Sequence, residues 1–266
     1  MTKKVISTAI ANIYRSASFT SELITQGVIW EEVEILDKQN NWYQIKQWDG
    51  YIGWINKTYI SISDIENNNV FQKLTQHITP IFEKPSNSSN QITSLTFGTR
   101  IPYEEIDGLW GRVKLPNGMI GFIENRNNTQ TDKVSQLILD AYKFLGTPYL
   151  WGGKFSFGLD CSGFVQTVFK ANGIELERDS SKQADTQNCK EIYLENAQQG
   201  DLVFFKTNGN ITHVGIYVGN GNIIHAMGEV RIDNIDPENK IHNKSLVRKF
   251  DKILSISNLV KNQEQK

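Results

Sequence analysis

The spacing of hydrophobic residues along the chain changes near residue 132. Before it, short apolar runs alternate with polar residues and turn-forming Gly, Asn and Ser, which predicts strands and almost no helix. After it, residues 134–145 and 161–172 show the three- and four-residue spacing typical of helices. Strand-like runs then follow at 201–205, 214–218, 223–225 and 252–257. Helices followed by antiparallel strands predict an α+β fold for this second part.

The strand-rich part of the chain repeats itself. Residues 42–46 align with 110–114, and residues 50–55 align with 118–123, both with an offset of 68 residues. A repeat of this length made of β segments predicts two copies of one small all-β barrel rather than a solenoid. Each copy has about 55 residues, a size at which a barrel is only marginally stable alone, so we expect both to dock on something.

Polar segments set the expected boundaries of three domains. Residues 61–72 and 125–132 are rich in Asn and other polar residues, which indicates links between folded parts. The predicted domains are a first barrel at 1–62, a second barrel at 73–127 and an α+β domain at 132–260.

Composition and charge exclude several classes of protein. The 266 residues carry a net charge of −1, and neither half is basic enough to favour nucleic acid or an anionic membrane as a partner. No stretch approaches the ~18 apolar residues of a membrane span. The start at Met1 lacks the apolar core of an export signal. The chain also has only two cysteines. We therefore expect a protein of the reducing cytoplasm, without a disulfide.

Cys161 is the first candidate for chemistry. It lies where a glycine-rich segment gives way to a helical pattern that Gly173 closes, so the sequence predicts that Cys161 stands at a helix N-terminus. Unpaired N–H groups there favour a thiolate, and we expect a lowered pKa for this thiol. An isolated cysteine is more often a small buried hydrophobe. The polar neighbours Asp160 and Ser162, and Gly163 with its capacity for close packing, favour a nucleophile instead.

Two downstream histidines supply candidates for a general base. His213 opens one predicted strand, and His225 lies inside the next. Taken alone, the first is typical of a surface residue and the second of a core residue bonded to backbone. Together with Cys161 they fit a nucleophile, a base that takes its proton, and a residue that orients the base.

The loop between the two strands decides whether the histidines meet. A three-residue loop at 219–221 would pair Val218 with Asn222 and bring Gly215 opposite His225. The two imidazoles would then be diagonal neighbours on one face, about 7–8 Å apart at Cα. A two-residue turn would shift the register and place them on opposite faces. Function therefore requires the longer loop.

Metal binding is the competing chemistry for the same residues. Cys161, Cys189, His213 and His225 are four possible ligands. However, the chain has no Cys-x-x-Cys and no closely paired histidines, and Cys189 lies in a polar run. We therefore predict no metal and no cofactor, and interpret Cys189 as incidental.

Five motifs, in order along residues 134–257, resemble those of the NlpC-type cell-wall cysteine peptidases. The motifs are Tyr149-Leu150-Trp151-Gly152-Gly153, Leu159-Asp160-Cys161-Ser162-Gly163-Phe164-Val165, Gly200-Asp201-Leu202-Val203-Phe204-Phe205, His213-Val214-Gly215-Ile216-Tyr217-Val218-Gly219 and Ile224-His225-Ala226. This resemblance implies a compact papain-like fold that cleaves amide bonds in peptidoglycan peptides. It also implies that Cys161 is the nucleophile, His213 the base and His225 the third residue.

The repeated segments resemble bacterial SH3-like domains, which one subgroup of these peptidases carries ahead of the catalytic domain. That subgroup looks like the γ-D-glutamyl-L-diamino-acid endopeptidases, which cut peptides with a free N-terminal L-Ala. By this likeness the substrate amine would be held by Asp179, Glu22 and Tyr51. Polar contacts with substrate would come from Asp160, Ser162 and Ser180. A solvated surface charge at Glu22 and a barrel-face aromatic at Tyr51 remain the alternatives.

The resemblance implies a cysteine endopeptidase that acts on small muropeptides, and the lack of an export signal at Met1 favours a cytoplasmic enzyme that recycles them. A secreted wall hydrolase, with SH3-like domains that bind the wall, is the first alternative. A non-catalytic peptide-binding protein on the same fold is the second, and the complete Cys/His/His set argues against it. The sequence indicates neither the preferred diamino acid nor an oligomeric state.

Overall fold

The computed structural model describes residues 3–63, 70–125, 131–187 and 189–264. It forms two compact units, Met1–Gln130 and Thr131–Lys266. Residues 64–69 and 126–130, which carry most of the two predicted links, lie outside the described residues. Within the described part of the chain, no helix is long and apolar enough to cross a membrane.

The first unit contains two antiparallel sheets built from the repeated sequence. The first sheet consists of β1 (Lys4–Ile6), β2 (Ile10–Tyr14), β3 (Leu23–Val28), β4 (Glu32–Gln39), β5 (Trp42–Lys46), β6 (Ile52–Asn56) and β7 (Ile60–Ile62), in the order β3-β2-β6-β5-β4-β1-β7. The second consists of β8 (Phe71–Lys73), β9 (Ile78–Phe82), β10 (Gln91–Thr96), β11 (Arg100–Asp107), β12 (Trp110–Lys114) and β13 (Ile120–Glu124), in the order β10-β9-β13-β12-β11-β8. The shared strand order confirms that the chain repeats one all-β module.

The two copies pack against each other within this unit. Val5, Ile29 and Trp30 of the first copy share a buried apolar cluster with residues of the second, among them Ile81 and Leu95. The Trp30 indole N–H also donates a 2.8 Å hydrogen bond to the carbonyl oxygen of residue 114. Each small barrel thus gains from the other the apolar burial that a module of this size lacks alone.

The second unit has few helices and one six-stranded antiparallel sheet. Its helices are α1 (Lys133–Tyr142), α2 (Cys161–Ala171), α3 (Ser180–Gln183), α4 (Lys244–Lys249) and α5 (Ser257–Glu264). Its strands are β14 (Lys154–Phe155), β15 (Gly158–Leu159), β16 (Lys190–Ile192), β17 (Leu202–Thr207), β18 (Asn210–Gly219), β19 (Asn222–Met227), β20 (Glu229–Asn234) and β21 (Phe250–Ser255). The large sheet has the order β16-β21-β17-β18-β19-β20. The predicted fold class, an α+β domain after SH3-like barrels, is confirmed.

Helix α2 is the central helix of this unit. Ten of its eleven residues are buried, and its apolar side chains have no exposed surface at Phe164, Val165, Val168 and Phe169. A helix that is apolar on nearly every side must be enclosed by other elements. This burial fixes the N-terminus of α2, and hence Cys161, against the large sheet.

Candidate active site

Cys161 is the first residue of α2, as the sequence predicts, and it is only 7% exposed. Asp160 is the N-cap: its Oδ1 accepts a 2.7 Å hydrogen bond from the backbone N–H of Gly163. Gly163 itself passes close to another backbone, since a Cβ at this position would lie 2.1 Å from the carbonyl oxygen of Gly153. Helix α2 therefore begins at a capped and tightly packed point.

The histidines are brought together by a hairpin that differs from the expected one. The turn is the two-residue Asn220-Gly221 type, in which both residues have positive φ (54° and 73°) and Gly219 pairs with Asn222. A bulge at Val218 then restores the register, so that Ile216 pairs with Ile224. The expected pairing of Val218 with Asn222 was wrong, because it did not allow for an extra residue in the strand.

The two imidazoles lie on one face and are hydrogen-bonded. His213 Nε2 is 2.6 Å from His225 Nδ1, and the Phe205 ring packs against His213 with a centroid distance of 5.6 Å. On its other side, His225 Nε2 is 2.9 Å from Oδ2 of Asp233 on β20. His225 is fully buried, so its contacts with these two partners define its position.

Cys161 lies beside the same strand as His213. The backbone N–H groups of Val214 and Ser162 donate hydrogen bonds to its sulfur. Burial and, to a lesser extent, the Asp160 carboxylate nevertheless raise the pKa of Cys161 to about 11. The expected lowering of this pKa was wrong in direction, because burial outweighs the helix N-terminus and the donated hydrogen bonds.

Burial also favours the neutral form of His213. Burial, together with the nearby His225 and Lys249, lowers the pKa of His213 to about 3. The raised pKa of Cys161 and the lowered pKa of His213 both favour the neutral side chains at pH 7. Proton transfer from Cys161 would then accompany attack on substrate rather than precede it.

A buried ion pair supports the start of α2. Arg178 is 2% exposed, and its guanidinium donates to both carboxylate oxygens of Asp160, at 3.0 and 2.5 Å. It also donates to Ser162 Oγ at 3.0 Å. Asp160 and Ser162 were predicted as substrate contacts; the structure brings them together, held by an arginine to which the sequence reasoning gave no role.

Asp179 and Ser180 follow this arginine at the start of the short helix α3. Asp179 is the exposed residue before α3, and Ser180 is its first residue. The same helix is tied to the nucleophile helix, because Gln183 Nε2 donates a 3.1 Å hydrogen bond to the Ser162 carbonyl oxygen. The predicted substrate roles of Asp179 and Ser180 remain predictions.

Glu22 and Tyr51 belong to the first unit. Glu22 Oε2 accepts a 2.5 Å hydrogen bond from Arg15 Nε. The Tyr51 backbone N–H donates to Asp49 Oδ1 at 3.1 Å in the turn before β6. Their predicted roles in binding a substrate amine also stay predictions.

Tyr149 and Asp233 are site residues that the sequence reasoning did not single out. Burial is the main cause that raises the pKa of Tyr149 to about 12, and the charges of Cys161 and Asp160 contribute to the same rise. Tyr149 stands in a motif that was recognised without assigning it a role. Asp233 could have been found from the β19–β20 hairpin. His225 pairs with Arg231, and Asp233, two residues further along the strand, faces the same side of the sheet.

The four residues considered as metal ligands do not form one cluster. Among the described residues, no group of three or more His, Cys, Asp or Glu side chains is placed to hold a metal ion. Cys189 is half-buried, and Asp201 is one of the charges near it.

A thiol at a helix N-terminus, beside hydrogen-bonded imidazoles on an antiparallel sheet, defines a cysteine peptidase with a papain-like arrangement. The chain belongs to the NlpC/P60 family, whose model matches residues 146–250, and a model of the bacterial SH3 domain matches residues 9–61.

The similarity to known proteins covers both units of the chain. A gamma-D-glutamyl-L-lysine dipeptidyl-peptidase of Bacillus cereus is 32% identical over 241 residues, covering 82% of this chain and 72% of the relative. Dipeptidyl-peptidase 6 of Lysinibacillus sphaericus is 25% identical over 265 residues, covering 91% and 95%. The crystal structure of an NlpC/P60 family protein from Bacillus cereus matches with a TM-score of 0.81 and 25% identity, over 94% of this chain and 98% of that one.

Proposed function

We propose that this peptidase hydrolyses the γ-D-glutamyl–L-diamino acid bond of small muropeptides that begin with a free L-Ala. The observation that carries the proposal is the hydrogen-bonded pair of His213 and His225 beside the buried thiol of Cys161. The similarity to a protein named gamma-D-glutamyl-L-lysine dipeptidyl-peptidase, at 32% identity, supports the choice of bond.

The reaction follows from the arrangement of these groups. The sulfur of Cys161 attacks the carbonyl carbon of the γ-amide, while the unprotonated nitrogen of His213 takes the thiol proton. The amide C–N bond then breaks, and the His213 proton passes to the leaving amine of the diamino acid. Water, activated by the same imidazole, hydrolyses the thioester and releases L-Ala-D-Glu. Apart from the substrate and one water molecule, the steps use only the side chains of Cys161 and His213.

The histidines should differ in how much each contributes. Replacing His213 by Ala removes the group that moves the proton, so kcat should fall by about 10²–10⁴-fold. Replacing His225 by Ala leaves a base of poorer orientation, and the loss should be smaller. Release of the diamino acid by the two variants and by wild type, measured in parallel, tests this order. Equal losses, or a larger loss for His225→Ala, would contradict the assigned roles.

Recognition of a free N-terminus is part of the same proposal. Two carboxylates, Glu22 and Asp179, and the phenol of Tyr51 would satisfy the three N–H donors of an ammonium group. An N-acetylated peptide would leave those carboxylates without a charged partner, and the enzyme should discriminate strongly against it. The free peptide L-Ala-γ-D-Glu-L-Lys and its N-acetyl form provide the comparison.

A matched pair of variants separates binding of the amine from general effects. Glu22→Gln should raise KM for the free peptide. It should also reduce the ratio of kcat/KM for the free peptide to kcat/KM for the acetylated peptide. Glu34→Gln is the control, because it removes an exposed carboxylate paired with Lys46 at 3.9 Å in the same unit. It should change neither KM nor the ratio between the two peptides. Equal cleavage of free and acetylated peptides by wild type would refute amine recognition.

We also place the enzyme in peptide recycling in the cytoplasm. The proposed preference for short, unblocked peptides favours this over digestion of the intact wall. Fractionation of producing cells beside a cytoplasmic marker tests the location. Recovery of the protein in the culture medium, together with release of peptides from intact sacculi, would favour the secreted wall hydrolase instead.

A further inference from the structure

The hydrogen-bonded pair of histidines continues to a carboxylate on the next strand. His225 Nδ1 is 2.6 Å from His213 Nε2, and His225 Nε2 is 2.9 Å from Asp233 Oδ2. Three side chains on three adjacent strands thus form one chain of hydrogen bonds that ends at the base.

We propose that Asp233 is a positioning residue that fixes the tautomer of His225 and, through His225, the tautomer of the base His213. The proposal concerns the cysteine-peptidase chemistry of the site and holds for any peptide that the enzyme cleaves.

The tautomers follow from which atoms can donate. The hydrogen bond with His225 is the main effect that overcomes burial and lowers the pKa of Asp233 to about 2, so at neutral pH its oxygen only accepts. His225 Nε2 must therefore carry the proton, and in a neutral ring its Nδ1 is left as an acceptor. His213 Nε2 must then donate to that acceptor, which leaves Nδ1 of His213 as the unprotonated nitrogen that can take a proton.

The position of Asp233 is itself fixed from two sides. Arg231 Nε donates a 2.8 Å hydrogen bond to the same Oδ2 atom, and the side chain of Asn243 also bonds this carboxylate. Arg231 stands directly opposite His225 in the β19–β20 ladder. A carboxylate held in this way presents one oxygen to the imidazole in a defined direction, as carboxylate partners of functional histidines do elsewhere.

Loss of the carboxylate should release the tautomers. In Asp233→Ala, His225 Nε2 has no carboxylate to bind, and a proton on Nδ1 becomes equally accessible. A proton on Nδ1 of His225 would donate to His213 Nε2 and force the His213 proton onto Nδ1, where it blocks the base. Asp233→Asn keeps an oxygen that accepts from both His225 and Arg231, so it removes the charge and preserves the tautomer.

The direct test reads the tautomers without substrate. Two-bond ¹H–¹⁵N correlation spectra of the full-length protein, labelled at its four histidines, distinguish Nδ1–H from Nε2–H rings. Wild type and Asp233→Asn should both show the Nε2–H form for His213 and His225. Asp233→Ala should show a mixture or the Nδ1–H form. An Nδ1–H form of His225 in wild type, or an unchanged spectrum in Asp233→Ala, would overturn the proposal.

Kinetics on L-Ala-γ-D-Glu-L-Lys provide the second readout. Asp233→Ala should lower kcat by about 10- to 100-fold with KM little changed, while Asp233→Asn retains most of the activity. Asp251→Ala is the matched control, since Asp251 pairs with Lys206 at 2.6 Å in the same unit and its side chain is 20% exposed, against 19% for Asp233.

Two kinetic results would overturn the tautomer role. One is a loss in Asp233→Ala no larger than that in the Asp251→Ala control. The other is an equal loss in Asp233→Asn while its Nε2–H tautomer persists, which would assign the effect to charge alone. If wild type does not cleave this peptide, the proposed substrate fails, but the spectra still decide the role of Asp233.

Discussion

The buried pair of Arg178 and Asp160 gives the sharpest prediction for stability. Replacement of Arg178 by Met removes a guanidinium that contacts both oxygens of Asp160 and keeps an unbranched apolar stem. The carboxylate then remains buried at the N-cap of the nucleophile helix without its cation. We expect the catalytic unit to be destabilised far more than by loss of a surface charge.

The magnitude follows from the contacts that Asp160 keeps. Removal of one partner from a buried ion pair typically destabilises by 3–5 kcal/mol. Asp160 still accepts hydrogen bonds from the backbone N–H of Gly163 at 2.7 Å and of Gly152 at 2.9 Å. These two donors stabilise the charged form, so we expect the lower end, about 3 kcal/mol. With a urea m-value of about 1–3 kcal/mol/M, the unfolding midpoint should fall by about 1–3 M.

Protection of Cys161 from alkylation is a suitable assay, because it reports on the catalytic unit alone. The thiol is buried in the folded protein, and mass spectrometry of peptides separates its labelling from that of Cys189. Lys206→Met is the control, since Lys206 forms a half-exposed pair with Asp251 in the same unit and should shift stability by at most about 1 kcal/mol. Equal midpoints for the two variants would refute a structural role for the buried pair.

Two further predictions concern the nucleophile. Because burial raises the pKa of Cys161 to about 11, its alkylation rate should keep rising above pH 9; a plateau reached below the ~8.5 of a free thiol would mean that a thiolate–imidazolium pair exists before substrate binds. Gly163→Ala should destabilise the start of α2 and lower kcat, because its Cβ would lie 2.1 Å from the Gly153 oxygen. Gly108→Ala is the control, since a Cβ there would have no atom within 4 Å. Equal activities and equal urea midpoints for the two variants would contradict the close packing at Gly163.

Much of the architecture is present in local sequence patterns. Strand periodicity and the 68-residue repeat predict both barrels. The periodicity depends only on neighbouring residues, and the repeat is visible in the sequence itself. The helix that begins at Cys161 is predicted because capping and apolar spacing are local effects. The motifs around Cys161, His213 and His225 identify the family for the same reason.

The features that were missed depend on contacts between distant segments or on competing local solutions. Asn220-Gly221 and a three-residue loop are both good turns, and only the bulge at Val218 reconciles the shorter one with the observed register. Arg178 acts through Asp160, which the sequence does not pair with it. The raised pKa of Cys161 reflects burial by the whole unit, which a helix N-terminus does not reveal.

The central claim is that the thiol of Cys161 attacks the γ-D-glutamyl carbonyl. Acid quenching of wild type during turnover of L-Ala-γ-D-Glu-L-Lys, followed by mass spectrometry of its peptides, tests this directly. We predict that the peptide containing Cys161 gains the mass of one L-Ala-D-Glu acyl group, and that Cys161→Ala neither gains it nor releases lysine. Release of lysine by Cys161→Ala, or an acyl group found on Cys189 instead, would contradict the account.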